Sequence, residues 1–271
     1  MRGDKMVKTI IYYFSGTGNS LHIAKCLKEI LGECELLPIA SLIKESNVKT
    51  TSEKVGFVFP VYTWALPKIV YEFIEKLDMS IAKYIFAVAT MGGFSNQAVP
   101  QTINMLLEPK GKILDLSYNI RIFSNNMALA KHFNPLPSEK KIKKRIKKAE
   151  LKLENIAELI KNNQKENTKK KFRSSMKRSY EKFLNQASNM DENFYSDDRC
   201  NGCGICENIC PVDNIKLDNN KPEWQHRCEV CLGCINYCPQ EAIQYGEHTI
   251  NRERFNHPYI KIKELINQKV L

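Results

Sequence analysis

Over the first 123 residues, short apolar runs alternate with stretches of helical period. The strand-like runs are 7-VKTIIYYF-14, 34-CELLPI-39, 54-KVGFVFPV-61, 83-KYIFAVAT-90 and 113-ILDLSYNIRIF-123. Helical stretches fall between them near 19–31, 67–77 and 95–107. Strands that are apolar almost throughout are buried on both faces, so the alternation predicts a parallel sheet with helices on either side, an α/β architecture. Residues 138–163 place Ile142, Ile146, Ala149, Leu153, Ile156 and Ile160 at steps of 4, 3, 4, 3 and 4, one face of a helix. Ser138 is a suitable N-cap for it. A second helical pattern follows at Phe172, Met176, Tyr180, Phe183 and Ala187, beyond the polar loop 162-NNQKENTKKK-171. The stretch SNMDENFYSD at 188–197 reads as a domain junction.

Charge is unevenly spread along this pattern. The 271 residues carry a formal net charge of +11. Residues 140–182 hold 17 Lys/Arg and 5 Asp/Glu, so that segment alone is +12. Residues 195–247 hold 4 Lys/Arg and 9 Asp/Glu, and are acidic. The basic segment coincides with the amphipathic helix, so its lysines form a solvated face, and aromatics interleaved for base stacking are sparse. Nucleic acid is not the expected partner. Such a face can contact an anionic membrane surface or dock an acidic protein. No apolar run is long enough to span a bilayer, and the first residues show no secretory pattern, so a cytoplasmic location is expected.

Ten cysteines are present, and eight of them fall in two short stretches, 200-CNGCGICENICP-211 and 228-CEVCLGCINYCP-239. Each repeats C-x2-C-x2-C-x3-C-P. Thiolates are the metal ligands, and a [4Fe–4S] cube takes four of them, the fourth cysteine of each run serving the other cluster. Cys200, Cys203, Cys206 and Cys238 would hold one cluster, and Cys228, Cys231, Cys234 and Cys210 the second. Zinc sites share the C-x2-C pairs but rarely show this whole unit twice. Cys26 and Cys34 read as small core residues. The five histidines, His22, His132, His226, His248 and His257, show no metal-ligand spacing and read as surface or capping residues.

The first strand runs into 15-SGTGNS-20 and then a helix. A glycine-rich turn at a helix N-terminus is an anion site, and Ser15, Thr17, Asn19 and Ser20 add side-chain donors around Gly16 and Gly18. It lacks the P-loop lysine, which argues against a nucleoside triphosphatase. In open α/β sheets ligands bind at the strands' carboxyl ends. Two more loops lie there: Pro60, Val61, Tyr62, Thr63 and Trp64 after the third strand, and Thr90, Met91, Gly92, Gly93 and Phe94 after the fourth.

The S-G-T-G-N-S loop resembles the phosphate loop of flavodoxins, and the cysteine runs resemble bacterial-type ferredoxins. Nearly the whole chain resembles a family of flavodoxin–ferredoxin fusions. The resemblance implies a doubly wound, five-stranded flavodoxin-like sheet, strand order 2-1-3-4-5 being one common solution, then a helical connector and a small ferredoxin-like α+β domain. On that reading residues 1–165 bind FMN, 166–194 form a basic helical connector, 195–247 hold two [4Fe–4S] clusters, and 248–271 are a C-terminal tail. FMN would sit on the three loops, its ring against Tyr62, Trp64 or Phe94. The expected function is anaerobe-style electron transfer between the clusters, FMN and a redox partner such as a ferredoxin, a reductase or an acceptor enzyme. No acid, base or nucleophile stands out as catalytic. Two alternatives are an FMN-dependent oxidoreductase reducing a quinone, nitro compound or disulfide, and a scaffold with purely structural clusters.

Overall fold

The structure is a computed structural model that describes residues 8–93, 98–124, 126, 135–168 and 173–270. Along the chain run β1 (Thr9–Tyr13), α1 (Asn19–Leu31), β2 (Cys34–Pro38), α2 (Ile39–Leu42), β3 (Lys54–Pro60), α3 (Lys68–Lys76), β4 (Tyr84–Met91), α4 (Ala98–Leu107) and β5 (Leu116–Arg121). Two longer helices follow, α5 (Glu139–Lys161) and α6 (Ser174–Gln186). The last part holds β6 (Phe194–Ser196), α7 (Ile205–Ile209), β7 (Ile215–Asp218), β8 (Lys221–Trp224), α8 (Gly233–Asn236), β9 (Ile243–Tyr245) and α9 (Ile262–Ile266).

β1 to β5 form one parallel sheet in the order β2-β1-β3-β4-β5. Side chains alternate between its faces, as the period of two requires. Tyr12, Phe57 and Ala87 join the core beneath α3 and α4, whereas Ile11, Val58 and Val88 join the core beneath α1 and α5. The fifth strand starts three residues later than its apolar run suggests, at Leu116. The six apolar positions read in the basic helix are all buried in α5, which closes the sheet over α1. Burying an isoleucine or leucine there contributes about 1.5–3 kcal/mol. Ser138 occupies the N-cap position without making a side-chain cap. In α6, Tyr180 and Phe183 are buried and Met176 partly so, while Phe172 lies outside the described residues. His132 lies outside them as well.

The smaller unit pairs β6 with β9 and β7 with β8, both antiparallel. Its apolar side chains merge with the sheet's two cores: Phe194, Ile215 and Ile235 join one, Ile209 and Tyr237 the other. The C-terminal segment returns across the first half of the molecule, with Phe255, Ile260 and Leu265 buried against the α1 side. Two histidines expected on the surface are buried there instead, His22 at 9% exposure and His257 at 5%. α1 brings His22 under the returning segment, a contact that local sequence spacing does not encode. Among the described residues, no helix is long and apolar enough to cross a membrane.

Candidate functional site: a sheet-end cavity beside two cysteine cages

The carboxyl ends of β1, β3, β4 and β5 enclose a cavity. Its walls include residues 15–17, 19 and 20 from the first loop, 60–63 from the second and 90–93 from the third. Ser15 Oγ accepts the Gly18 N–H at 3.0 Å and holds the first loop in shape. Ser20 and Thr90 hydroxyls bond each other at 2.7 Å, tying the first loop to β4. At the start of α1 the amides have no intrahelical acceptor, so they are available to an anion. Gly92 is required by close approach, because a β-carbon there would lie 2.4 Å from the Ser124 backbone.

The second loop turns back on itself, with Tyr62 and Ala65 exchanging backbone hydrogen bonds of 3.1 and 2.9 Å. Thr63 and Trp64 between them sit at φ 39° and 76°, the left-handed region. The turn keeps Tyr62 in the wall and sends Trp64 outward, where it is 43% exposed and forms no part of the cavity. Gly18 does not line the cavity, since a β-carbon there would lie 2.8 Å from His257 of the C-terminal segment, and Phe94 lies outside the described residues.

Further wall residues come from places the three-loop reading did not reach. Ile122, Phe123, Ser124 and Asn126 follow β5, Phe183 comes from α6, and Val230, Cys231 and Leu232 come from the cysteine-rich unit. The β5 residues sit at a strand's carboxyl end, so the same rule that found the other loops applies to them. Docking of the other two groups has no local signal.

These walls fit FMN. They offer hydroxyls, backbone amides and glycines, with no lysine or arginine among the described residues that line them. Asn19 Oδ1 is buried without a hydrogen-bond partner, an acceptor that a ribityl hydroxyl would satisfy.

The eight clustered cysteines form two cages. One cavity is lined by Cys200, Cys203, Cys206 and Cys238, with Leu217, Pro222 and Ile243. The other is lined by Cys210, Cys228, Cys231 and Cys234, with Phe194, Ile215 and Trp224. Each cage takes three cysteines from one run and one from the other. Backbone N–H groups point at the sulfurs: Asn214 to Cys210 at 3.2 Å, Val230 to Cys228 at 3.2 Å and Ala242 to Cys238 at 3.3 Å. Burial, then the neighbouring Cys238, Cys200 and Cys203, pushes the Cys206 thiol up to about 12. Burial and Cys210 do the same to Cys231. In the second cage all four thiols, Cys210, Cys228, Cys231 and Cys234, are pushed up first by burial, and a bound metal reverses that balance by stabilising the thiolates. The donor sets therefore fit iron–sulfur ligation.

Cys231 belongs both to the second cage and to the sheet-end cavity. The seam is tight. A β-carbon on Gly16 would lie 2.3 Å from the Cys231 carbonyl oxygen, and one on Gly233 would lie 3.2 Å from the Gly16 carbonyl. Polar contacts fix it. Glu229 accepts the Ile69 N–H at 2.9 Å at the start of α3, and Tyr237 donates to the Thr17 carbonyl at 3.2 Å. Burial pushes the Glu229 carboxyl up to about 8. Gln268 in the C-terminal segment both accepts the Ser15 N–H and donates to the Ser15 carbonyl, each at 3.0 Å.

Comparison with known proteins finds two domain families along the chain. The family model described as a flavodoxin domain matches residues 10–114, and that described as a 4Fe-4S binding domain matches residues 194–216. Among solved structures, a putative flavoprotein from Bacteroides uniformis is similar at 21% identity and a TM-score of 0.35, covering 44% of this chain and 94% of its own. A flavodoxin from the domain Archaea is similar at 15% identity and a TM-score of 0.31, covering 57% and 99%. The Trp repressor binding protein from Bacillus subtilis is similar at 13% identity and a TM-score of 0.32, covering 53% and 95%. No curated protein matches the chain. The flavodoxin domain suggests FMN and the 4Fe-4S domain an iron–sulfur cluster, and a redox carrier of this kind implies a redox partner. With the one domain at its N-terminal end and the other at its C-terminal end, the chain is a flavodoxin–ferredoxin fusion, a redox electron-transfer flavoprotein.

Proposed function

We propose that the protein passes electrons between two [4Fe–4S] clusters and FMN, to or from a redox partner protein. The observation that carries this reading is Cys231, a ligand-type residue of one cage that also walls the sheet-end cavity. A cluster exchanges one electron at a time and FMN one or two, so together they join single-electron flow to two-electron chemistry. Residues 15–20 would hold the phosphate, Asn19 the ribityl chain, and 60–63 with 90–93 the ring. Cys200, Cys203, Cys206 and Cys238 would ligate an outer cluster, Cys210, Cys228, Cys231 and Cys234 an inner one. Cys203 is exposed whereas none of the four cysteines of the inner cage is, so the outer cage is the natural contact for a partner. Residues 1–165, 166–194 and 195–247 act as flavin, connector and cluster units, and the tail 248–271 straps the first to the third.

Purified protein should contain about eight iron atoms and about one FMN per chain. Cys234→Ser should lower the iron towards half while FMN stays bound. Four iron in the wild type, or no FMN, would sink the reading.

Trp64 standing outside the cavity favours a second reading, since it leaves the ring uncapped by that side chain. FMN would then also reduce a small substrate such as a quinone, nitro compound or disulfide. Steady-state turnover of such compounds by chemically reduced protein tests it, and oxidation no faster than with free FMN would dismiss it.

A further inference from the structure

Away from both cages, three side chains of metal-ligating type meet where α1 crosses α5. His22 and Cys26 are one helical turn apart on α1, so they share a face. Glu150 reaches them from α5. Its Oε1 lies 2.8 Å from His22 Nε2, and Cys26 Sγ lies 3.6 Å from the same nitrogen. All three ligand atoms fall within 4.8 Å of one another. We propose that His22, Cys26 and Glu150 bind a divalent transition-metal ion, zinc being the best fit, separate from the iron–sulfur cages.

Zinc–sulfur and zinc–nitrogen bonds of about 2.3 and about 2.0 Å at a tetrahedral angle put sulfur and nitrogen about 3.5 Å apart. The Cys26–His22 separation already has that value. The His22–Glu150 pair must widen by about 0.5 Å to reach a tetrahedral edge, as a direct hydrogen bond gives way to two metal bonds. One thiolate, one imidazole and one carboxylate make a donor set that zinc accepts and that magnesium or calcium does not.

The surroundings hold these groups in place. The His22 ring is covered by Tyr259, stacked at 5.4 Å, and by His257 at 5.0 Å. Lys147 engages the other Glu150 oxygen at 3.3 Å and leaves Oε1 turned to His22. Protons balance as follows. In the metal-free chain the Glu150 carboxylate accepts from His22 Nε2–H, and Cys26 is a thiol whose ionisation is opposed first by burial, then by Glu150 and Glu29. On binding, the imidazole proton moves to Nδ1, the thiol proton leaves to solvent, and no electron is transferred. The fourth position would be taken by water, because Glu150 stands only partly buried at the surface. Such an ion would clamp α1, whose first turn carries the phosphate loop, to α5.

The test uses cluster-loaded protein, so that the eight cage cysteines are already occupied by iron. The protein is exposed to zinc sulfate, desalted, and assayed for zinc and iron on one sample. About one zinc per chain is expected, with a zinc-edge absorption spectrum that fits one sulfur and the remainder nitrogen or oxygen. Cys26→Ser and His22→Gln should each lower zinc at least tenfold with iron unchanged, and Cys34→Ser should retain it. Wild-type protein without zinc would overturn the proposal, and so would an all-sulfur shell or zinc that survives Cys26→Ser. The wild-type stoichiometry and spectrum decide the matter even if a variant fails to fold. None of these outcomes bears on the electron-transfer reading, which iron and FMN content test separately.

Discussion

At position 16 a β-carbon would sit 2.3 Å from the Cys231 carbonyl oxygen and 2.9 Å from the Cys231 β-carbon. Neither neighbour is a flexible side-chain end, so the backbone must move. Gly16→Ala should therefore open the seam between the flavodoxin and cluster units, at about 1–3 kcal/mol, and weaken FMN retention. Chemical denaturation and flavin content measure both, and a variant matching the wild type in each would refute the tight seam. The ligand-type cysteines were legible in the sequence because coordination chemistry fixes their spacing within each run. The place of Cys231 in the wall of the sheet-end cavity was not, since it depends on how two units dock. Trp64 shows the limit at the same scale: an aromatic at a strand's carboxyl end suggested stacking, but two left-handed residues turn it outward.

At the scale of elements, α3 begins without a cap of its own, because its N-cap position is Pro67. The acceptor for the Ile69 N–H comes from Glu229, 160 residues later. Glu229→Ala should leave that buried amide unsatisfied and cost about 1–2 kcal/mol. Glu229→Gln keeps an acceptor and should recover most of the loss. Equal denaturation midpoints for the alanine variant and the wild type would show that the cap contributes nothing. α5 is the opposite case. Its 4, 3, 4, 3, 4 spacing belongs to one continuous helix, so its buried face was readable from periodicity alone. The five strands were readable for the same reason, and only their ends shifted. The loop after β5, 122-IFSNN-126, was not legible because it lacks the glycines that mark the loops after β1 and β4.

Across the whole molecule, Asp213 between the two cysteine runs pairs with Lys44 of the flavodoxin domain at 2.5 Å and with Lys269 near the C-terminus at 2.7 Å. Burial would raise its pKa, but hydrogen bonds and charge from Lys269 and Lys44 outweigh burial and hold the carboxyl at about 2. A depressed carboxylate contributes stability above its unfolded pKa of about 4 and loses it as pH falls through the folded value. Asp213→Asn should cost about 0.5–1 kcal/mol after solvent screening, by the same amount at every pH from 8 down to 5. Denaturation curves across that range check it, and a cost that vanishes between pH 8 and 6 would mean another group is responsible. The Asp213 ion pairs, the Gln268 contact with Ser15 and the returning tail all join residues far apart in sequence. The existence of two units was legible from composition and motif; their closeness was not.

Electron passage between the clusters and the flavin is the central claim, and an anaerobic redox titration tests it most directly. Reconstituted protein is titrated with a low-potential reductant while flavin absorbance and cluster EPR are followed on one sample. Flavin and clusters are expected to take up electrons over a shared window, as transfer between them requires. Clusters that never reduce, or reduce only in a range where the flavin exchanges nothing, would contradict it.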